Sequence, residues 1–482
     1  MKEYSDYDAM GLAELVRTRQ ISASELLDEA MQRAEAVQGD LNCFSALYPD
    51  LAKQQLSKGD QTGPFAGVPF VTKDLAVEVK GAPLTNGSAS WKGNIASRDS
   101  TLTQRYRDAG LVFFGQTTSP EFGLTTTTES TLYGQTRNPW DVTRTSGGSS
   151  GGASAAVAAG VLPMAQASDG GGSIRIPAAC CGLFGMKPSR GRIPMGPGRT
   201  ENWNGLSTIH ALSRSVRDNA ALMDATHGPE TGNRYQAPKP ERPFLEEVSR
   251  DPKQLKIALW RIAPNGTEPD EDAAVGLAAT VKLLEDLGHT VVEAAPQIDG
   301  QAISKAALFT ISANIAAMID DRAAMIGRQP REDELEPITL AMSNLGRTVP
   351  MVELARANNQ FNENAIIFET FLNEGGYDLI LTPTLSRAPE KLGVMALTAD
   401  PESMGAAVAS FSPHCPFFNQ IGAPAMSVPL HWTPPTEAAP KGLPIGMMFG
   451  GRYGSEALLY SLAGQLERAQ PWAHRRPPVW AG

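Results

Sequence analysis

Residues 145–182 read TSGGSSGGASAAVAAGVLPMAQASDGGGSIRIPAACCG, two glycine-serine clusters on either side of an alanine-rich insert. Glycine loses more backbone entropy on folding than any other residue, so a chain that concentrates it needs a reason. The serines raise a second question, namely which of them does chemistry. Gly147-Gly148-Ser149-Ser150-Gly151 matches the G-x-S-x-G nucleophile elbow, which would make Ser149 the nucleophile of an α/β-hydrolase. An elbow follows directly on a buried strand, whereas the preceding NPWDVTRTS is polar and broken by Pro139. An S-x-x-K site fails because no lysine has a serine three residues before it, and no G-K-[ST] follows either cluster to make a phosphate loop.

The whole stretch, taken with its neighbours, carries a resemblance. GVPFVTKDL lies upstream with the pair Lys73-Asp74, and GQTTSPEFG and YGQTRNPW lie between. Gly147-Gly148-Ser149-Ser150-Gly151-Gly152 is followed by Asp169-Gly170-Gly171-Gly172-Ser173-Ile174-Arg175, then GLFGMKPSRGRIP, and near the end FFNQIGAPAMSVPL and GLPIGMMFGG. In kind, order and spacing these motifs resemble the amidase signature family over nearly the whole chain. Within it, QTRNPW, the helical TIS region and the ending PWAHRRP lie nearest in layout to bacterial cyclic-dimer hydrolases.

The resemblance implies a Ser-Ser-Lys triad with Ser173 as nucleophile, Ser149 as proton relay after a cis peptide bond, and Lys73 as base. Physical chemistry gives that arrangement sense. A serine hydroxyl needs a base to take its proton, and a lysine is a base only where burial disfavours its ammonium. GVPFV before Lys73 fits such a dry position, and a serine can accept and donate a proton at once. Gly170, Gly171 and Gly172 are the candidate oxyanion donors. Asp169 and Arg175, which bracket the nucleophile, are expected to hold structure by hydrogen bonds and ion pairing. The substrate pocket is expected from loop 122–130 with Gly123, the helical region around Ser312, and segment 412–420 with Phe417.

Outward from this core, short apolar runs alternate with helical patterns. FAGVPFVTKD, LVFFGQT, LKIALW, HTVVEAA, YDLILTPT, APAMSVPL and LPIGMMFGG read as strands; STLTQRYRDAG, ASAAVAAG, DEDAAVGLAATVKLLEDLG and SEALLYSLAGQLERA read as helices. This alternation predicts an α/β protein. With the resemblance it implies the amidase signature fold, a mixed central β-sheet with helices on both faces. SASELLDEAMQRAEAV opens with a capping-box spacing, Ser22 to Glu25. The expected organisation is one amidase unit over 1–482, with N-terminal helices in 1–60, the signature core in 65–230 and a helical excursion at about 302–373 forming a pocket wall.

Net charge is −10 over 482 residues, which speaks against nucleic acid as a partner. No apolar run approaches the roughly 20 residues of a membrane span, and MKEYSDYDAMGLAEL carries acids where a secretory signal has its apolar core. The expected place is the cytoplasm. The four cysteines match no zinc pattern, the six histidines have no metal-ligand spacing, and neither a metal nor a cofactor is implied. The functional expectation is an amidase that cleaves a small to medium, partly apolar carboxylic amide, at a linear or cyclic C–N bond other than a peptide bond. Its partner is that small molecule, and a homodimer is compatible with the sequence. Two alternatives stay open: the glutaminase subunit of a tRNA-dependent amidotransferase, which shares the motifs, and a non-catalytic binding protein on the same fold.

Overall fold

The capping box at Ser22 forms as its spacing requires: the Glu25 N–H donates to the Ser22 hydroxyl at 3.2 Å, and the Ser22 N–H donates to the Glu25 carboxylate at 2.9 Å. The helix it starts, Ala23–Leu41, buries Leu26, Leu27, Ala30, Ala34 and Val37 on one stripe. The computed structural model describes residues 4–59 and 61–482, so residues 1–3 and 60 of the expected N-terminal helical region lie outside the described residues.

All seven expected strands are present. Five of them, with three more, build an eight-stranded mixed sheet in the order Thr290–Glu293, Lys256–Leu259, Leu379–Pro383, Pro444–Gly451, Ala425–Trp432, Phe184–Lys187, Thr208–Ser213, Met164–Asp169. The first three strands run parallel and the remaining pairings are antiparallel. A separate three-stranded sheet, Phe44–Leu47, Val112–Thr117 and Pro69–Lys73, lies with its last strand against Met164–Asp169. Phe44–Leu47 is a strand within the region expected to hold only N-terminal helices. The three strands of the large sheet that periodicity did not disclose, Met164–Asp169, Phe184–Lys187 and Thr208–Ser213, are buried along their whole length. In MAQASD polar and apolar residues are enclosed alike, so the alternation that marks a half-exposed strand is missing.

Helices cover both faces. Val216–Thr226, Glu271–Asp286 and Glu456–Ala469 pack on one, where Met426, Val428, Met447 and Phe449 point. Gly151–Ala158, Arg175–Cys181 and Cys415–Ile421 pack on the other with Ala425 and Met448. Successive strand residues thus serve opposite layers, as the pleat dictates.

The helical excursion comprises Gly300–Ile326, Pro337–Thr348 and Met351–Gly375, the first packed along both others. One sequence expectation is corrected here. Helix Gly300–Ile326 is, by length and composition, apolar enough to cross a membrane, although no continuous apolar run flags it. Its hydropathy comes from alanines and isoleucines interleaved with polar residues, and they turn inward: Ile303, Ala306, Ile315, Ala316 and Ile319 are buried within the protein.

Candidate active site

Lys73 ends the strand Pro69–Lys73, all five residues of which are buried. Its backbone N–H donates to Gln166 Oε1 at 2.7 Å across the seam between the two sheets. Its ammonium nitrogen lies 2.6 Å from Ser149 Oγ and 3.1 Å from Ser168 Oγ. Burial pulls the Lys73 pKa from 10.5 to about 7, against the opposing pull of the Asp169 carboxylate. A lysine in this state exchanges a proton near neutrality.

Ser149 sits between the ribbon strand Asp141–Thr145 and helix Gly151–Ala158, and the Gly148–Ser149 peptide bond is cis. The glycines around it are required by space. A Cβ on Gly147, whose φ is +80°, would stand 2.6 Å from Pro177 Cα; one on Gly148 would stand 2.4 Å from the Thr127 carbonyl oxygen. One on Gly152 would stand 2.5 Å from the Thr118 nitrogen. Contacts this short exclude any side chain, so the loop packs backbone against backbone. Ser150 is spent on structure, its hydroxyl donating to the Ser168 carbonyl at 3.2 Å.

Ser173 follows strand Met164–Asp169 in a loop bolted down by Asp169. That carboxylate accepts from Gly172 N–H at 2.7 Å, Ile174 N–H at 3.2 Å and both Nε and Nη2 of Arg175 at 3.0 and 2.9 Å. Asn419 closes the network, donating to Asp169 Oδ1 at 2.8 Å and accepting from Arg175 at 2.7 Å. Neither charged side chain is exposed, and the Asp169 pKa is held down at about 2, the cost of burial being more than offset by the Arg175 guanidinium together with Lys187 and the Asn419 hydrogen bond.

Two cavities meet at Ser173. The larger, about 270 Å³, is lined mostly by apolar groups, among them Ile176, Trp203, Leu206, Ile303, Ile311 and Phe417. The smaller, about 20 Å³, has Ser149, Ser168, Leu75, Phe122 and Met318 on its wall. Ser173, Gly123, Gly170 and Trp203 line both.

Of the residues singled out from sequence, Lys73 and Ser149 are in contact, and Ser149, Ser173, Gly123 and Gly170 share the narrow cavity. Gly171 and Phe417 line the wide one. Two residues stand elsewhere. Gly172 lends its N–H to Asp169, and among the described residues the N–H groups of Gly170 and Gly171 have no partner in the protein. Ser312 is fully buried and does not line the cavity. A helix turns about 100° per residue, so Ile303, Ala307 and Ile311 face the cavity while the Ser312 side chain is buried off its wall and the Ser312 backbone carbonyl lies against Gly346 of the neighbouring helix. Sequence reasoning passed over Gln166, Ser168 and Asn419. The first two are two apart on a strand and share a face, a signal hidden because that strand was not legible. Among the described residues no group of three His, Cys, Asp or Glu can hold a metal ion.

The Amidase family model matches residues 25–460. The chain belongs to the amidase signature family. It is an amide hydrolase acting on C–N bonds other than peptide bonds. It is 36% identical to the 6-aminohexanoate-cyclic-dimer hydrolase of Pseudomonas sp. strain NK87, over 98% of this chain and 96% of that protein. A solved 6-aminohexanoate cyclic dimer hydrolase in complex with its substrate superposes with a TM-score of 0.92 at 35% identity, covering 98% of this chain and 99% of that one. A bacterial aryl acylamidase superposes with a TM-score of 0.85 at 25% identity, covering 97% of each chain. The expected likeness in layout to cyclic-dimer hydrolases is therefore a likeness of the whole fold.

Proposed function

We propose that this amidase hydrolyses a small to medium carboxylic amide with an apolar acyl part through an acyl-enzyme on Ser173, with Ser149 as relay and Lys73 as base. The observation that carries the reading is the 2.6 Å contact between Nζ of a fully buried lysine and Ser149 Oγ, on the wall of a cavity that Ser173 shares. Neutral Lys73 accepts the Ser149 proton as Ser149 accepts that of Ser173, and the Ser173 oxygen attacks the amide carbon. The developing oxyanion is met by the N–H groups of Gly170 and Gly171, residues that line the cavity and whose N–H groups have no protein partner among the described residues; one such donor is worth about 2.7–4 kcal/mol in the transition state. The proton returns through Ser149 to the nitrogen, the C–N bond breaks, and water repeats the sequence on the ester.

The wide cavity supports this substrate class. Its lining of Ile, Leu, Trp and Phe favours an aliphatic or aromatic acyl group over the polar acyl group of glutamine, which supports a free-standing amidase over a glutaminase subunit. Similarity to hydrolases named for a 6-aminohexanoate cyclic dimer supports the same choice. The test is a panel of amides followed by mass spectrometry, with Ser173→Ala as control, together with a fluorophosphonate probe mapped by peptide digestion. Adduct on Ser173 and loss of all turnover in Ser173→Ala are expected. Adduct on Ser149 or Ser150 would overturn the assignment.

A further inference from the structure

We infer that the narrow cavity on the Ser149 side receives the leaving amine and the wide cavity the acyl group, so that this chain, in contrast to the relatives named for a cyclic dimer, whose amide nitrogen carries an alkyl chain, is selective for unsubstituted amides and releases ammonia. The inference rests on the reading of Ser173 as nucleophile and deepens it. The group that returns a proton to the leaving nitrogen must lie on the nitrogen's side of the scissile bond. Ser149 and its neighbour Ser168 are on the wall of the narrow cavity and not on that of the wide one. The nitrogen therefore faces the narrow cavity.

That cavity holds about 20 Å³. One water-sized group needs on the order of 10–15 Å³ measured this way. An NH₂ fits, and an N-alkyl or N-aryl substituent does not. Leu75, Ala76, Asn202 and Met318 also line a third cavity of about 410 Å³, whose wall carries Glu78 and Asp321. These four residues belong to both walls, Met318 among them from the helical excursion. The step balances without a co-reactant: the Ser173 oxygen–carbon bond forms, the carbon–nitrogen bond breaks, and the Ser173 proton leaves on ammonia. Water then releases the carboxylic acid.

The experiment holds the acyl group constant and varies the nitrogen: hexanamide, N-methylhexanamide, N-butylhexanamide and hexananilide, with product acid measured by mass spectrometry. One methylene in an apolar pocket is worth about 10–200-fold. The kcat/KM is expected to fall by about that factor at N-methyl and further at N-butyl and N-phenyl. A second measurement needs no variant. Nucleophiles that intercept the acyl-enzyme enter by the same cavity, so hydroxylamine is expected to divert hexanoyl product to the hydroxamate, while butylamine at equal free-base concentration is not expected to give N-butylhexanamide. Met318→Ala is expected to raise the N-butyl to unsubstituted ratio about tenfold or more. Hexananilide or N-butylhexanamide turned over as fast as hexanamide, or butylamine capturing as well as hydroxylamine, would overturn the inference while leaving Ser173 chemistry intact. Amide hydrolysis that survives in Ser173→Ala would instead overturn the underlying reading, and the inference with it.

Discussion

A Cβ placed on Gly123 would stand 2.9 Å from Ser149 Oγ and 3.0 Å from Leu75 Cδ2, so the loop that bounds the two cavities closes directly on Ser149. Gly123 has a φ of +75°, which disfavours other residues there whatever the space. Gly123→Ala is expected to lower kcat about 10-fold or more by displacing Ser149, and to cost about 1 kcal/mol of stability from backbone strain. Gly93 separates the two effects. Its φ is +81° and nothing lies within 4 Å of its Cβ position, so Gly93→Ala is expected to cost similar stability with normal kcat. Equal kcat losses in both variants would show that the contact with Ser149 carries no catalytic weight.

The pH dependence follows from Lys73. Its pKa of about 7 is expected to appear as a limb in kcat/KM that rises with pH through neutrality, because only the neutral amine accepts a proton. A profile flat from pH 6 to 8.5 would remove Lys73 as the base.

Lys187 gives a separate prediction about stability. It is fully buried, donates to the Pro188 carbonyl at 2.8 Å, and has its pKa pulled to about 7 by burial and by Arg175. Between about 7 and the ordinary 10.5 the unfolded chain holds this proton and the native state does not, so stability gained here rises with pH. Below that window both states are protonated and the slope vanishes. Lys187→Met is therefore expected to change the Tm more favourably at pH 7 than at pH 10. A change independent of pH would contradict a depressed pKa.

The pair Asp169–Arg175 is expected to be structural. Arg175→Met leaves a fully buried carboxylate without its cation, which costs about 3–5 kcal/mol. Adding Asp169→Asn removes the orphaned charge, and urea unfolding is expected to show part of the loss recovered. No recovery would mean the loop depends on the charge of Asp169 itself.

Ile311 and Phe417 line the wide cavity and Ser312 does not, so acyl-side specificity is expected at the first two. Ile311→Ala is expected to shift relative kcat/KM among acyl chain lengths by about 10–200-fold. Ser312→Ala, which removes a buried hydroxyl with no hydrogen-bond partner, is expected to be neutral or slightly stabilising with the ranking unchanged. A changed ranking in Ser312→Ala would place that hydroxyl against the substrate.

The sequence by itself determined the family, the α/β class and seven strands, and it named the residues proposed for the triad. These are legible because they rest on residue type at short spacing: the Ser22–Glu25 cap, alternation in LPIGMMFGG, glycines and serines in a set order. Tertiary structure decided what depends on burial and on meetings between distant segments. Lys73 is a usable base because the fold encloses it and brings Ser149, 76 residues away, within 2.6 Å. Strand Met164–Asp169 was hidden because Gln166, Ser168 and Asp169 are polar residues enclosed for the sake of the site, which erases the apolar period. The rotation of helix Gly300–Ile326 set Ile311 against the cavity and turned Ser312 away, since a step of one residue moves a side chain by over a quarter turn. Spacing along the chain fixes which groups are available, and only packing decides which of them face one another.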